Sequence, residues 1–328
     1  NALAEATTAS NNVALGYRAL DAIVGQQDVD NVSAGHYNIA IGVDSMGGVN
    51  AGTHATALTD SNIAIGTNAL IGASFVGANL DLLGNVVIGH HAMASTSNNA
   101  QTGTIAIGYQ SLNALTSGQY NTAIGYNSMD EHLTGRANTC LGWGTMSQSG
   151  GDTTAQDNTF IGASSGSGDW AGAGVDQNTA VGYSTMTGAM NGANNNTALG
   201  AHGLEALTTG DGNVAVGAMA GDNVTDGDYN TLIGYQSGTE GQNLSTGDNN
   251  TLIGAFTDTN ATGAINQTAI GYDTTGQGNN TVTLGNSSVT KLYAASDGDA
   301  VVFCGGIDMS NNQPAAAAGS MTSELLDA

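Results

Sequence analysis

Asn-Thr-Ala-Ile-Gly-Tyr-Asn-Ser-Met, residues 121–129, is the stretch whose reading decides the fold. It returns as Asn-Ile-Ala-Ile-Gly-Val-Asp-Ser-Met at 38–46 and, in shorter form, all along the chain. The shared core is Asn, a β-branched residue, a small residue, Ile, Leu or Val, and then Gly. Its fifteen glycines run from Gly16 to Gly285 and include Gly125, Gly142, Gly182 and Gly234. Asn stands four places before that Gly in twelve of the fifteen, among them Asn121, Asn138, Asn178 and Asn230. Leu or Met stands four places after it in nine. The intervals start at 26, 24 and 23 residues and then settle mostly at 17–20.

A period of 17–20 residues is too short for a helical-hairpin repeat, which needs about 33 or more. The β-branched residues before each Gly favour strands. A short strand, a Gly corner, a second segment ending at Leu or Met and a Gly/Asp/Asn turn would make one coil. Such a coil buries nothing alone, and stacking at about 4.8 Å would bury a continuous column. The sequence therefore predicts an all-β chain: a parallel β-solenoid, or β-roll, of about fifteen short coils over residues 1–290, elongated to about 70 Å. A short β extension at 291–310 and a linker leading into a further module at 311–328 are expected after it. The opening Asn1-Ala2-Leu3 repeats Asn68-Ala69-Leu70, so the array is expected to start mid-repeat.

Each column has an expected task. Ile124 and its equivalents are expected to point inward with the later Leu or Met, and the Asn column to form an amide ladder. The small residue before Ile would then face outward as a flat Ala column. Such a column, exposed, exceeds the apolar patch that monomers usually carry, which predicts cover by other subunits.

Composition narrows the function. Gly counts 50 and Pro 1, and charged residues make up 9%, against roughly 25% in typical soluble domains. The net charge is −24, with Arg18, Arg136 and Lys291 as the fixed cations. Nucleic-acid binding works by neutralising phosphates with Lys and Arg, so it is excluded, as is attraction to anionic membranes. No run approaches the ~18 apolar residues of a membrane helix, so membrane insertion is not expected. Cys140 and Cys304 form no disulfide framework, and Cys140 occupies the small-residue position as a buried hydrophobe.

The motif resembles the head repeats of trimeric autotransporter adhesins and, more closely, repeats of bacteriophage tail-fibre proteins. The resemblance covers roughly residues 1–290. It implies a trimer of parallel β-rolls that binds host or cell surfaces. The stretch Val282-Thr-Leu-Gly-Asn-Ser-Ser-Val-Thr-Lys-Leu-Tyr293 is similar to where phage fibres leave their repeats. The coils are longer and more variable than in the adhesins, and no adhesin anchor is visible. The implied function is a structural and adhesive tail-fibre segment of the virion, touching other tail proteins and a host glycan or protein. The alternative is a bacterial adhesin or extracellular filament built on the same roll. A lone solenoid binding ice or glycan predicts a regular exposed Thr column, and Thr does recur after the motif Asn.

For chemistry, no nucleophile elbow or Ser/His/Asp arrangement is found, so no catalytic residue and no organic cofactor is assigned. Paired acids between neighbouring coils are the one route to catalysis left open. The Asp-rich turns, with Asp226 and Asp228 foremost, offer oxygen ligands for Ca²⁺ but lack the calcium-roll repeat. Aromatics follow the motif Gly in a file that includes Tyr126, Trp143 and Tyr183. A ladder role is expected for the file, and sugar stacking is the functional reading of these three. Trp170 lies in the Gly-rich insertion at 166–174, outside the ladder, and is expected to be a receptor contact.

Overall fold

The computed structural model describes residues 10–21, 35–48, 59–71, 81–96, 100–148, 154–170 and 174–292. Two compact units divide the chain, Asn1–Asn286 and Ser287–Ala328. The expected β extension and linker lie almost wholly outside the described residues. So do Cys304 and much of the connections at 21–37, 47–61 and 71–84.

The first unit is an all-β parallel solenoid. Among the described residues, fifteen three-residue strands, each ending one residue before a motif Gly, form one sheet in sequential order. The pairing is parallel and in register. Thr122 faces Thr139, which faces Thr159, which faces Thr179. The segment after the motif Gly, expected to run on to the Leu or Met, is mostly a run of turns. A second sheet of three two-residue strands, Thr59–Asp60, Leu82–Leu83 and Gln101–Thr102, serves only the wider early repeats.

Backbone geometry explains the motif. Gly142 has φ of 141° and a Cβ there would stand 2.7 Å from the carbonyl of Gly162, stacked in the next repeat. No side chain fits a corner that other corners approach so closely. The bends also hold non-glycine residues in the left-handed region, including Asn127 at 51° and Met129 at 55°. Backbone bonds between coils keep these conformations. Asn127 N–H donates to Tyr109 O at 2.9 Å, and Met129 N–H to Thr145 O at 2.8 Å.

The inward and outward assignments are the reverse of those predicted for Ala and Ile. Ala123, Ala180 and Ala198 are fully buried, whereas Ile124 is only part-buried and Leu199 is 49% exposed. Strand parity is the reason. Asn121 and Ala123 are two residues apart and share a face, so an inward Asn excludes an inward Ile124. The Ala column is therefore not available for other copies of the chain to cover.

Inside each coil, side-chain volume is traded between the strand and the segment after the Gly. In most repeats whose strand contributes Ala or Cys, the residue four after Gly is large, as in Ala123 with Met129 and Cys140 with Met146, whose sulfurs lie 3.7 Å apart; Ala215 with Gly221 and Ala269 with Thr275 depart from this. Where the strand contributes Phe160 or Leu232, that later residue is Gly166 or Gly238. A Cβ on Gly166 would fall 2.8 Å from the Phe160 ring. This exchange keeps the interior at the density native cores require.

The Asn column is a buried ladder, as expected. Asn158 donates both its backbone N–H (3.1 Å) and its Nδ2 (3.0 Å) to Asn138 Oδ1, and its Nδ2 also reaches Val175 O at 2.6 Å. The pattern recurs at Asn178, Asn196, Asn213, Asn230 and Asn250. It satisfies turn carbonyls that have no strand partner. Asp carboxylates in the Asp-x-Asn turns make a second ladder, with Asp211 N–H donating to Asp228 Oδ1 and Asp228 N–H to Asp248 Oδ1.

Candidate functional site

With its inside filled by Ala, Met and Asn, the solenoid leaves its chemistry to the outer columns. The outer face of the main sheet carries two of them. Thr122, Thr139, Thr159, Thr179 and Thr197 run through five successive strands. Beside them runs the Ile/Leu/Val column, with Leu15 66%, Leu141 45% and Leu284 47% exposed.

Just past the Gly corner stands the aromatic file. His90, Tyr109 and Tyr126 are stacked nearly parallel, at 5.5 Å and 5° and then at 5.0 Å and 10°. The faces of Tyr109 are thus occupied on both sides. Tyr183 is 56% exposed and meets His202 edge-on at 5.3 Å. Trp143 is 59% exposed and borders a hollow of about 330 Å³ that spans three consecutive repeats.

That hollow is built by missing bulk. Its floor residues two after the motif Gly are Gly144 and Ser164, where other repeats hold Gln110, His202 and Gln236. Five after the Gly it has Ser147 and Ser167, while the first of the three repeats contributes Asp130 and Glu131. Backbone rails fix the floor, with Gly144 N–H on Tyr126 O at 2.9 Å and Ser164 N–H on Trp143 O at 2.8 Å. Partial burial, reinforced by the neighbouring Glu131 charge, pushes the Asp130 carboxyl up to about 6. Asp130 Oδ1 and Asn127 Oδ1 are shielded from solvent and receive no hydrogen bond. Acceptors in that condition lack the compensation that buried polar atoms normally find.

The predicted contact residues fare differently. Tyr126, Trp143 and Tyr183 are on the surface, as expected for contacts or a ladder. Trp170 is not: it is fully buried and packs against Phe160 at 5.6 Å with a 53° tilt. The Phe160 ring fills the room that Gly166 leaves, and the indole packs against that ring. Its Nε1–H has no acceptor among the described residues. The hollow itself was not anticipated, although Gly144 and Ser164 in a column of larger polar residues were its signal.

Asp226 and Asp228 do not converge on a cation site by any contact seen. Asp226 Oδ1 accepts from Thr208 Oγ1 at 2.6 Å and Thr209 Oγ1 at 2.9 Å, while Asp228 belongs to the carboxylate ladder. Among the described residues no group of three or more His, Cys, Asp or Glu side chains is placed to hold a metal. Cys140 is buried, and burial pushes its thiol up, away from the reactive thiolate. Among the described residues no helix is long and apolar enough to cross a membrane.

Neither a known protein family nor a curated protein matches the chain at a significant level.

Proposed function

We propose that the chain is a structural and adhesive segment of a homotrimeric phage tail fibre, located in the virion, in which fifteen coils per chain hold and assist a host-binding surface. The reading makes the role structural and not enzymatic, with no resident cofactor. One observation carries it: the outer sheet face presents an unbroken Ile/Leu/Val column flanked by Thr. Monomers rarely expose contiguous apolar patches of more than a few hundred Å². Flat, in-register columns of this kind suit contact with identical columns of two other copies. The resemblance of the motif to phage-fibre repeats points the same way, and a bacterial adhesin or extracellular filament shares the argument. In the fibre, the neighbours would be other tail proteins and a host-surface glycan or protein.

Light scattering after size exclusion tests the assembly. A mass three times the 32.5 kDa chain is expected, and a single-chain mass would sink the trimer.

A second reading has its own observation. The Thr column lies on the outer face, in register through Thr122 to Thr197, as a solenoid that binds a repetitive surface such as ice requires. Absence of thermal hysteresis in a chain that is monomeric would remove it.

A further inference from the structure

We propose that the hollow beside Trp143 is a binding site for a neutral sugar unit of a glycan, an inference that rests on the adhesive reading and gives it a location. Three features combine there. Trp143 is outside the described ring stack of His90, Tyr109 and Tyr126 and is 59% exposed, so its indole offers an apolar plate with a polar rim. The hollow next to it is open because Gly144 and Ser164 replace larger side chains. A Cβ on Gly144 would meet only Ser147 Oγ, at 3.8 Å. Around the plate stand amides, hydroxyls and carboxylates, chiefly Asn127, Asp130, Glu131 and Gln148. An apolar wall with a few convergent polar groups is the usual make-up of a small-molecule site.

The ligand class follows from what the polar groups lack. Asn127 Oδ1 and Asp130 Oδ1 have no donor among the described residues, and both side chains line the hollow, where a side-chain rotation would turn either oxygen to a ligand hydroxyl. Sugar hydroxyls supply donors on a ring whose C–H face lies flat on an indole. Anionic sugars are disfavoured by Asp130 and Glu131 and by a chain of net charge −24. A quaternary ammonium would satisfy the carboxylate charge and stack on Trp143. It carries no hydrogen-bond donor, however, and would leave Asn127 unsatisfied.

The full chain is to be screened by saturation-transfer NMR against glucose, galactose, mannose, N-acetylglucosamine and short oligomers of each, with N-acetylneuraminic acid and tetramethylammonium as charged comparators. Binding of at least one neutral sugar is expected, weakened at least about tenfold by Trp143→Ala. Gly144→Gln provides an independent check that removes no binding group. Gln110 and Gln236 hold the equivalent position at φ 53°, close to the 59° of Gly144, so the variant folds, fills the hollow and is expected to bind about tenfold more weakly. The proposal is overturned if no neutral sugar binds, if only tetramethylammonium binds, or if both variants bind like the parent. The two readings fail separately. A trimer without sugar binding sinks only the site, and a sugar-binding monomer sinks only the fibre.

Discussion

The inner and outer faces of the same three-residue strands follow opposite rules. Inward, Ala123, Cys140 and Ala180 are fully buried between the Asn ladder and the Met129, Met146 and Met186 side chains, and little can change. Outward, Thr139, Leu141 and Leu199 are exposed, and the aromatic position accepts Tyr126, Trp143 or Tyr183. The inner face closes each coil on its neighbours, so its residues are dictated by the space the stack leaves. Among the described residues the outer face has no such partner. In the proposed fibre its regular columns would meet those of other copies, and the proposed sugar would occupy the Gly144–Ser164 gap.

The sharpest way to break the comparison is to place a charge on the inner face. Ala123→Asp puts an unpaired carboxylate into the dry column and is expected to cost at least about 4 kcal/mol, read as a lost or much lowered unfolding transition. Removing one rung, Asn138→Ala, leaves Asn158 N–H and Nδ2 and the Ala155 carbonyl without their partner. A loss of about 3 kcal/mol in denaturant unfolding is expected, and an unchanged midpoint would mean that the ladder contributes nothing net.

The inner face also contains a titratable group. His132 is fully buried, and burial lowers it to about 4, opposed in part by its hydrogen bond to the Gly135 backbone. Because the unfolded chain binds the proton at higher pH than the fold does, stability is complete above pH ~6.5. It falls as pH drops from there towards 4, by about 3 kcal/mol for the 2.5-unit difference. Unfolding midpoints measured across that window are expected to flatten in His132→Phe. A parallel decline in parent and variant would assign acid sensitivity elsewhere. On the outer face, Tyr183→Ser removes one edge-on contact with His202 and is expected to cost under about 1 kcal/mol.

Much of the fold was legible because its constraints recur. The Gly interval set the period, and the amide at the start of each motif announced a ladder before any partner could be seen. What misled was parity. Ile is the larger hydrophobe and Ala the smaller, so size suggests Ile124 for the core. The interior is too narrow for that, because Met129 already reaches across to Ala123. Asn121, three residues before Ile124, was the clue that they face opposite ways. Trp170 was misplaced for a related reason: its burial depends on the pairing of Phe160 with Gly166, a volume exchange inside one coil that a column-by-column reading passes over. The hollow was hidden because it consists of side chains that are missing, spread over residues 127–167 and joined only by stacking.

In the proposed fibre, copies of the chain meet at the outer sheet face. The most direct test is the solution mass of the double variant Ile124→Asp, Leu141→Asp beside that of the parent, with circular dichroism on both. Because neither side chain enters the core, the variant is expected to keep the β-sheet signal of the parent. Its mass is expected to fall from three times 32.5 kDa to that of one chain. A variant that remains trimeric, or a parent that is already a single chain, would contradict the account.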